Sequence, residues 1–379
     1  MLGQGSSGGL RVLMSADTVG GVFEYASELS RALCERGAKV ALATMGAPLS
    51  ADQRSVLRDI DGLSTFESHF ALEWMDDPWH SVDEAGRWLL QVAEQFAPDI
   101  VHLNGYSHAS LPWRAKVVVV AHSCVVSWWR AVRGTDPPPS FDPYRARVRA
   151  GLEHADLVVA PSSAMLSALR AGYSFTTEAR VIYNGVSSHS GCDAGGEPYY
   201  LAAGRLWDEA KNLELIARVA DKLPWPVLVA GERPRSEDRA SGLTLLGKLP
   251  RADLRRLMTS ASVFLHPARY EPFGLAPLEA ALSGAALILG DIASLREVWG
   301  SSALFVSPDR PQELLEAARA LALDHELRGE FRARARRRAL FYSTAAMARE
   351  YSAAYRELLA ETTSNPRERH ARRAVVEAS

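Results

Sequence analysis

Short apolar runs of strand length alternate with amphipathic stretches of helix length almost from the start of the chain, and this rhythm confines the fold more than any other feature. In the first half, strands are predicted at residues 10–16, 40–44, 100–103, 117–121, 157–160 and 181–183, with helices at 22–36, 81–96 and 162–171. A strand, a crossover helix and another strand can lie in one sheet only as parallel neighbours, so the rhythm predicts α/β architecture with parallel sheets.

Residues 186–198 interrupt it. They read Val-Ser-Ser-His-Ser-Gly-Cys-Asp-Ala-Gly-Gly-Glu-Pro, small, polar and Gly-rich, as a linker should be. A second βα series follows, with strands predicted at 199–203, 227–230, 243–246, 263–266 and 286–289 and helices at 213–222 and 252–261. A chain of 379 residues with 47% apolar content supports two such cores. The boundaries predicted are a first domain at 1–185, the linker at 186–198, a second domain at 199–345, a helix at 346–361 and a loose tail at 362–379. Tyr351, Ala354, Tyr355 and Leu358 share one face of that last helix, which fits it to pack across both domains. The run Arg332–Arg338 reads as a solvated face or helix C-terminus.

Charge and cysteine usage exclude several classes. The formal net charge is -2, and residues 1–185 carry 16 Lys/Arg against 20 Asp/Glu, so no basic field recruits nucleic acid or an anionic membrane. Cys34, Cys124 and Cys192 are too few and too odd for a disulfide framework, which makes a cytoplasmic location the expectation. No run of about 18 apolar residues occurs, leaving peripheral membrane contact at most.

Candidate chemistry collects at predicted strand ends and βα loops, where ligands of parallel sheets lie. Gly20-Gly21 opens the first helix and permits close backbone approach, although a tight turn needs the same residues. A Gly-x-Gly-x-x-Gly at Gly3, Gly5 and Gly8 precedes the first strand and is therefore no dinucleotide fingerprint. His122 follows the strand at 117–121 and His102 with Asn104 follow another; each fits either a ligand-facing or a structural role. Trp128, Trp129 and Arg130 make either a ligand platform or a local core. Trp74, Trp79 and the loop Arg133–Pro139 belong to the same half. In the second half, Arg205 and Lys211 share one short loop and are either a fork and a point charge suited to a diphosphate or a surface arginine and a lysine at a helix start. Glu271 and Glu279 then bracket Phe273, Gly274 and Leu275, whose backbone N–H groups are placed at a helix N-terminus that attracts anions.

In this order, Gly20-Gly21, His122, Asn184-Gly185, Gly204-Arg205 with Lys211-Asn212, and Glu271 with Glu279 resemble the retaining glycosyltransferases of family 4 (group 1) over about residues 10 to 360. The resemblance implies the GT-B architecture: two Rossmann-like, doubly wound domains facing a cleft, with the C-terminal helix crossing back to the first. It implies a nucleoside-diphosphate sugar as donor and no cofactor besides. Arg205 and Lys211 would hold the diphosphate, Glu279 the ribose, Glu271 with Phe273, Gly274 and Leu275 the sugar and distal phosphate. His122 would face the sugar, Gly20 and Gly21 would lie against the phosphates, and Leu249 would sit where the family holds the base. Ser123 departs from the pattern, since an acid is frequent after the histidine.

The implied reaction moves a hexose to an acceptor hydroxyl with retention, the leaving diphosphate taking the proton and no metal taking part. The acceptor is open between a glycan, a lipid-linked and a small molecule. A glycoside hydrolase is disfavoured, because its carboxyls stand roughly 5–9.5 Å apart while eight helical residues advance about 12 Å. A nucleotide-sugar 2-epimerase and a non-catalytic sugar-nucleotide binder share the same fold expectation.

Overall fold

The computed structural model of the chain describes residues 9–187, 197–232 and 242–364. Most of the predicted linker (188–196, with Cys192), the predicted tail beyond 364 and the first eight residues lie outside the described residues.

The first sheet contains β1 (Arg11–Asp17), β2 (Lys39–Met45), β3 (Leu63–Glu67), β4 (Ile100–Leu103), β5 (Lys116–Val120), β6 (Leu157–Ala160) and β7 (Ala179–Val181). Their order is β3-β2-β1-β4-β5-β6-β7 and every pairing is parallel. The second contains β8 (Tyr200–Ala203), β9 (Val227–Ala230), β10 (Leu243–Gly247), β11 (Val263–His266), β12 (Ala286–Gly290) and β13 (Leu304–Val306), in the order β10-β9-β8-β11-β12-β13, again all parallel. Each sheet reverses direction beside its first strand, so each has a crevice at its strand carboxyl ends, and the two crevices face one another. The central strands are near-continuous Val, Leu, Ile and Ala because helices cover both faces.

The helix Thr344–Ser364 completes the first domain rather than the second. Met347, Ala348, Tyr351, Ala354, Tyr355 and Leu358 pack with Val12, Met14, Leu29 and Leu42 in one core cluster. The predicted face is therefore buried, and the chain crosses back as expected.

Several elements differ from the sequence reading. β7 ends at Val181, leaving Tyr183 outside the sheet, where its ring meets Tyr342. β3 and the helices Ala51–Arg58, Val125–Arg133, Asp142–His154 and Ala293–Trp299 were not anticipated. The Arg run lies in the helix His325–Ala339 and is only partly a solvated face: Arg332 and Arg338 donate to the carbonyls of Gly284 and Val298. Among the described residues no helix is long and apolar enough to cross a membrane.

Candidate functional site

The cleft is framed by two loops that follow the first strand of each sheet. After β1, Gly20 caps the helix Gly21–Glu35 with φ 91°, a backbone that L side chains rarely adopt. A Cβ there would stand 3.1 Å from Arg205 Nη1 of the opposite domain, so glycine is what lets the guanidinium approach a helix N-terminus. In the second domain, Gly274 (φ 94°) caps the helix Leu275–Leu282, with Pro277 in its first turn, where a missing N–H breaks no helical bond. Leu275 lies 3.5 Å from where a Gly21 Cβ would be, so the two N-termini converge across the cleft. Their unpaired N–H groups and aligned dipoles give the mouth an anion-attracting field.

The cations face that field. Arg205 Nη2 donates to Asp208 Oδ2 at 3.0 Å, and its guanidinium sits 5.4 Å from the centroid of Trp207. Lys211 ends a short 3-10 turn, Glu209–Lys211, held by Asp208 at its start and by Asn212 at its end. Asn212 donates to the carbonyls of Pro267 and Pro308, which ties this loop to the end of β11. The Lys211 ammonium thereby meets Glu271 Oε2 at 2.7 Å, and His266 Nε2 reaches the same oxygen at 3.1 Å. Burial alone would raise the Glu271 carboxyl, but the Lys211 charge and the His266 hydrogen bond outweigh it and hold it well below the usual carboxylate range.

Glu279 has the opposite fate. Burial pushes it up to about 7, against the opposing pull of Arg251, and Glu24 and Glu28 raise it further. Arg251 Nη2 stands 3.7 Å from Glu279 and 3.1 Å from Glu28, while Nη1 stands 2.6 Å from Glu24. The two motif glutamates therefore belong to separate charge clusters. Glu28 also accepts from Ser187 and Thr344, so the Arg251 cluster ties the second domain to the first near both crossings of the chain.

His122 is held by Asn104. Asn104 Nδ2 donates to the Ser15 carbonyl at 2.6 Å, which turns Oδ1 toward His122 Nε2 (2.8 Å) and His102 Nε2 (3.2 Å). Both histidines donate through Nε2, leaving His102 Nδ1 to accept from Tyr355 Oη at 2.6 Å and His122 Nδ1 as an acceptor. Burial lowers both to about 3, so both are neutral at physiological pH.

Gly20, Gly21, Arg205, Lys211, Glu271, Gly274, Leu275 and His122 thus gather at the cleft. Phe273 does so only through its backbone: its ring is 2% exposed and packs edge-on against Tyr342 at 5.4 Å. Leu249, after β10, packs in the core cluster that holds Phe273 and Leu275. Asp208, Arg251, Glu24 and Glu28 escaped the sequence reading, because Arg251 meets Glu28 across 223 residues of chain and no local pattern records that.

Two family models match: Glycosyltransferase Family 4 over residues 19–189 and Glycosyl transferases group 1 over residues 197–324. Among curated proteins, sulfoquinovosyl transferase SQD2 of Arabidopsis thaliana is 26% identical over 264 residues, 62% of this chain and 52% of that protein. O-antigen chain mannosyltransferase B of Escherichia coli is 29% identical over 127 residues, 29% of this chain and 33% of that protein. The matches thus span only a third to a half of those relatives. Among solved structures, sucrose-phosphate synthase from Thermosynechococcus elongatus superposes with a TM-score of 0.76 at 18% identity, covering 93% of this chain and 100% of the other. Anabaena HepE in complex with UDP and glucose superposes with a TM-score of 0.72 at 15% identity, covering 92% and 100%. With both halves matched in order and the two facing sheets of a GT-B fold, the chain belongs to the glycosyltransferases of family 4, group 1.

Proposed function

We propose that this protein transfers a hexose from a nucleoside-diphosphate sugar to an acceptor hydroxyl, with retention and without a metal. The observation that carries this reading is the convergence of Arg205 with two helix N-termini, at Gly20 and Gly274, beside a Lys211 already charged against Glu271. Such a mouth suits the negative charge that grows on a departing diphosphate, and its fixed dipoles need no reorganisation during the reaction.

In the step proposed, the acceptor oxygen bonds to the anomeric carbon as the bond from that carbon to the diphosphate oxygen breaks. The hydroxyl proton passes to the departing phosphate oxygen on the same face. Arg205 and Lys211 take the charge that a metal would otherwise take. Glu271, kept ionised, orients Lys211 and receives a sugar hydroxyl, and neutral His122 offers Nδ1 to another. Glu279 would hold the ribose in place of its contact with Arg251. HepE, a structural neighbour, carries UDP and glucose, which supports a donor of this class.

Thermal unfolding with UDP, GDP and ADP tests the reading. A ligand at about 100 times its Kd adds about 2.7 kcal/mol. One of the three is expected to stabilise the chain, and Arg205→Ala to cut the effect to about half or less. With the matching hexose donor, NMR of the product is expected to show the donor's anomeric configuration. No response to any diphosphate, or an inverted product, would overturn the corresponding part.

A further inference from the structure

Below Arg205, on the first-domain side, lies a cavity of about 400 Å³, and of its lining residues only Arg205 and His122 meet the donor in the proposed function. Its walls are Trp74, Tyr106, Trp128, Trp129, Phe141 and Tyr144, contributed by four separate segments of the first domain. A volume of this size suits a compact small molecule rather than a polymer segment.

Charge excludes anions. Asp17, Glu73, Asp208 and Glu209 line the cavity, and Arg205 is the one Lys or Arg among the described lining residues. Arg205 is already tied to Asp208 and faces the diphosphate mouth. A phosphorylated acceptor would therefore meet the carboxylates of Asp17 and Glu73, while Asp208 and Glu209 are already paired with Arg205 and Arg133.

The polar groups of the wall argue against a sugar. They spend their bonds on one another: Tyr106 Oη on the Ser123 carbonyl, Trp128 Nε1 on Asp208, Asn104 on Ser15 and His122, and Glu73 on the amides of Tyr106 and Ser107. A glycan would bring several hydroxyls against partners already engaged, each a desolvation penalty. An apolar ring would meet aromatic faces instead. Two acceptors on the wall keep capacity: His122 Nδ1, which the proposed function gives to the donor sugar, and Asp17. Asp17 Oδ2 receives only a long bond, 3.3 Å, from Trp74 Nε1, and a carboxylate oxygen accepts more than one donor.

We propose that this cavity is the acceptor site, and that the acceptor is an uncharged molecule with an apolar ring body and a hydroxyl donated to Asp17. The proposal rests on the transfer reading above. Asp17 holds the hydroxyl before reaction; its single hydrogen turns from Asp17 to the departing phosphate oxygen as the hydroxyl oxygen bonds to the anomeric carbon and the bond to the diphosphate breaks.

Calorimetric titration of the chain tests it, with 2-naphthol and estradiol as uncharged ring probes and maltose and glucose 6-phosphate as contrasts. The ring probes are expected to bind and the contrasts not. Trp129→Glu, which adds a carboxylate to a half-buried wall, and Trp74→Leu are each expected to weaken binding about tenfold or more. Wild-type chain is expected to prefer 2-naphthol to 2-methoxynaphthalene, and Asp17→Asn to remove most of that preference while still binding both. Binding of maltose or glucose 6-phosphate in place of the rings, or ring binding indifferent to both wall variants, overturns the proposal. Failure of every probe on a chain that UDP, GDP or ADP still stabilises overturns the acceptor class and leaves the transfer reading intact. Wall-dependent ring binding on a chain that no diphosphate stabilises removes the acceptor role itself.

Discussion

The two walls of the cleft are built from opposite materials. The second-domain wall is charge set against charge: Lys211 on Glu271 and Arg205 on Asp208. The first-domain wall is aromatic, and most of its polar groups are already engaged within the protein. A diphosphate has one chemistry, so the residues proposed to meet it come from a short menu packed into two βα loops. An apolar surface can be assembled from any large side chains that topology brings together. The first kind of wall leaves a pattern in the sequence and the second does not.

The strongest way to break this contrast is Lys211→Ala. It removes the partner of a largely buried carboxylate, the pair being 19% and 14% exposed, and should cost about 3–5 kcal/mol of stability. Turnover should also fall by about 100-fold or more. Adding Glu271→Gln should restore much of the melting temperature and none of the turnover; recovery of both would mean that the charge serves the fold alone. Next in size is Arg205→Ala, expected to weaken nucleoside-diphosphate binding roughly tenfold to hundredfold. Because Arg205 is 38% exposed and its pair with Asp208 is screened by solvent, the melting temperature of the unliganded chain should barely move.

The two motif glutamates sharpen the contrast through pH. Glu279 has a folded value of about 7 against an ordinary 4.5, so between those values the folded chain holds a proton that the unfolded chain releases, and stability falls as pH rises through the window. Asp17, which burial pushes up to about 6 from 3.8, adds the same sign. Glu271 works in reverse: its contribution is present above 4.5 and is lost as pH falls below it. Urea midpoints against pH should lose the near-neutral slope in Glu279→Gln and the acid slope in Glu271→Gln. Identical profiles for the two variants would show that the clusters are not separate. The smallest effect belongs to the aromatic wall's support: Tyr355→Phe removes the donor to His102 Nδ1 and should cost about 1–2 kcal/mol by thermal unfolding.

Legibility followed the same division. The strands at Ile100–Leu103, Leu157–Ala160, Val227–Ala230 and Val263–His266 were readable to the residue because sheets covered on both faces need unbroken apolar runs. β3 was not, since an edge strand whose residues are all exposed or half-buried carries no such run. The helix Ala51–Arg58 was missed although Ser50 and Gln53 form a capping box that the sequence does display. The helix Asp142–His154 is Arg-rich and weakly amphipathic, and it buries only Tyr144, Val148, Gly151 and Leu152. At the candidate site, Arg205, Lys211 and Glu271 were legible as candidates because strand ends and turns announce themselves locally. Asp208 binds Arg205 and Ala210 locally, but its contact with Trp128 of the other domain leaves no local pattern.

The helix Thr344–Ser364 gives the order of events on the ribosome a particular shape. Its buried face belongs to the core beside β1 and β2, yet it is among the last of the described residues to be made. Between the completion of β7 at Val181 and the arrival of Thr344, synthesis at about 5–20 residues per second leaves roughly 10–30 s in which Val12, Met14, Leu29 and Leu42 have no cover from it. The nascent first domain therefore keeps that face uncovered by its own last helix while the second domain is translated.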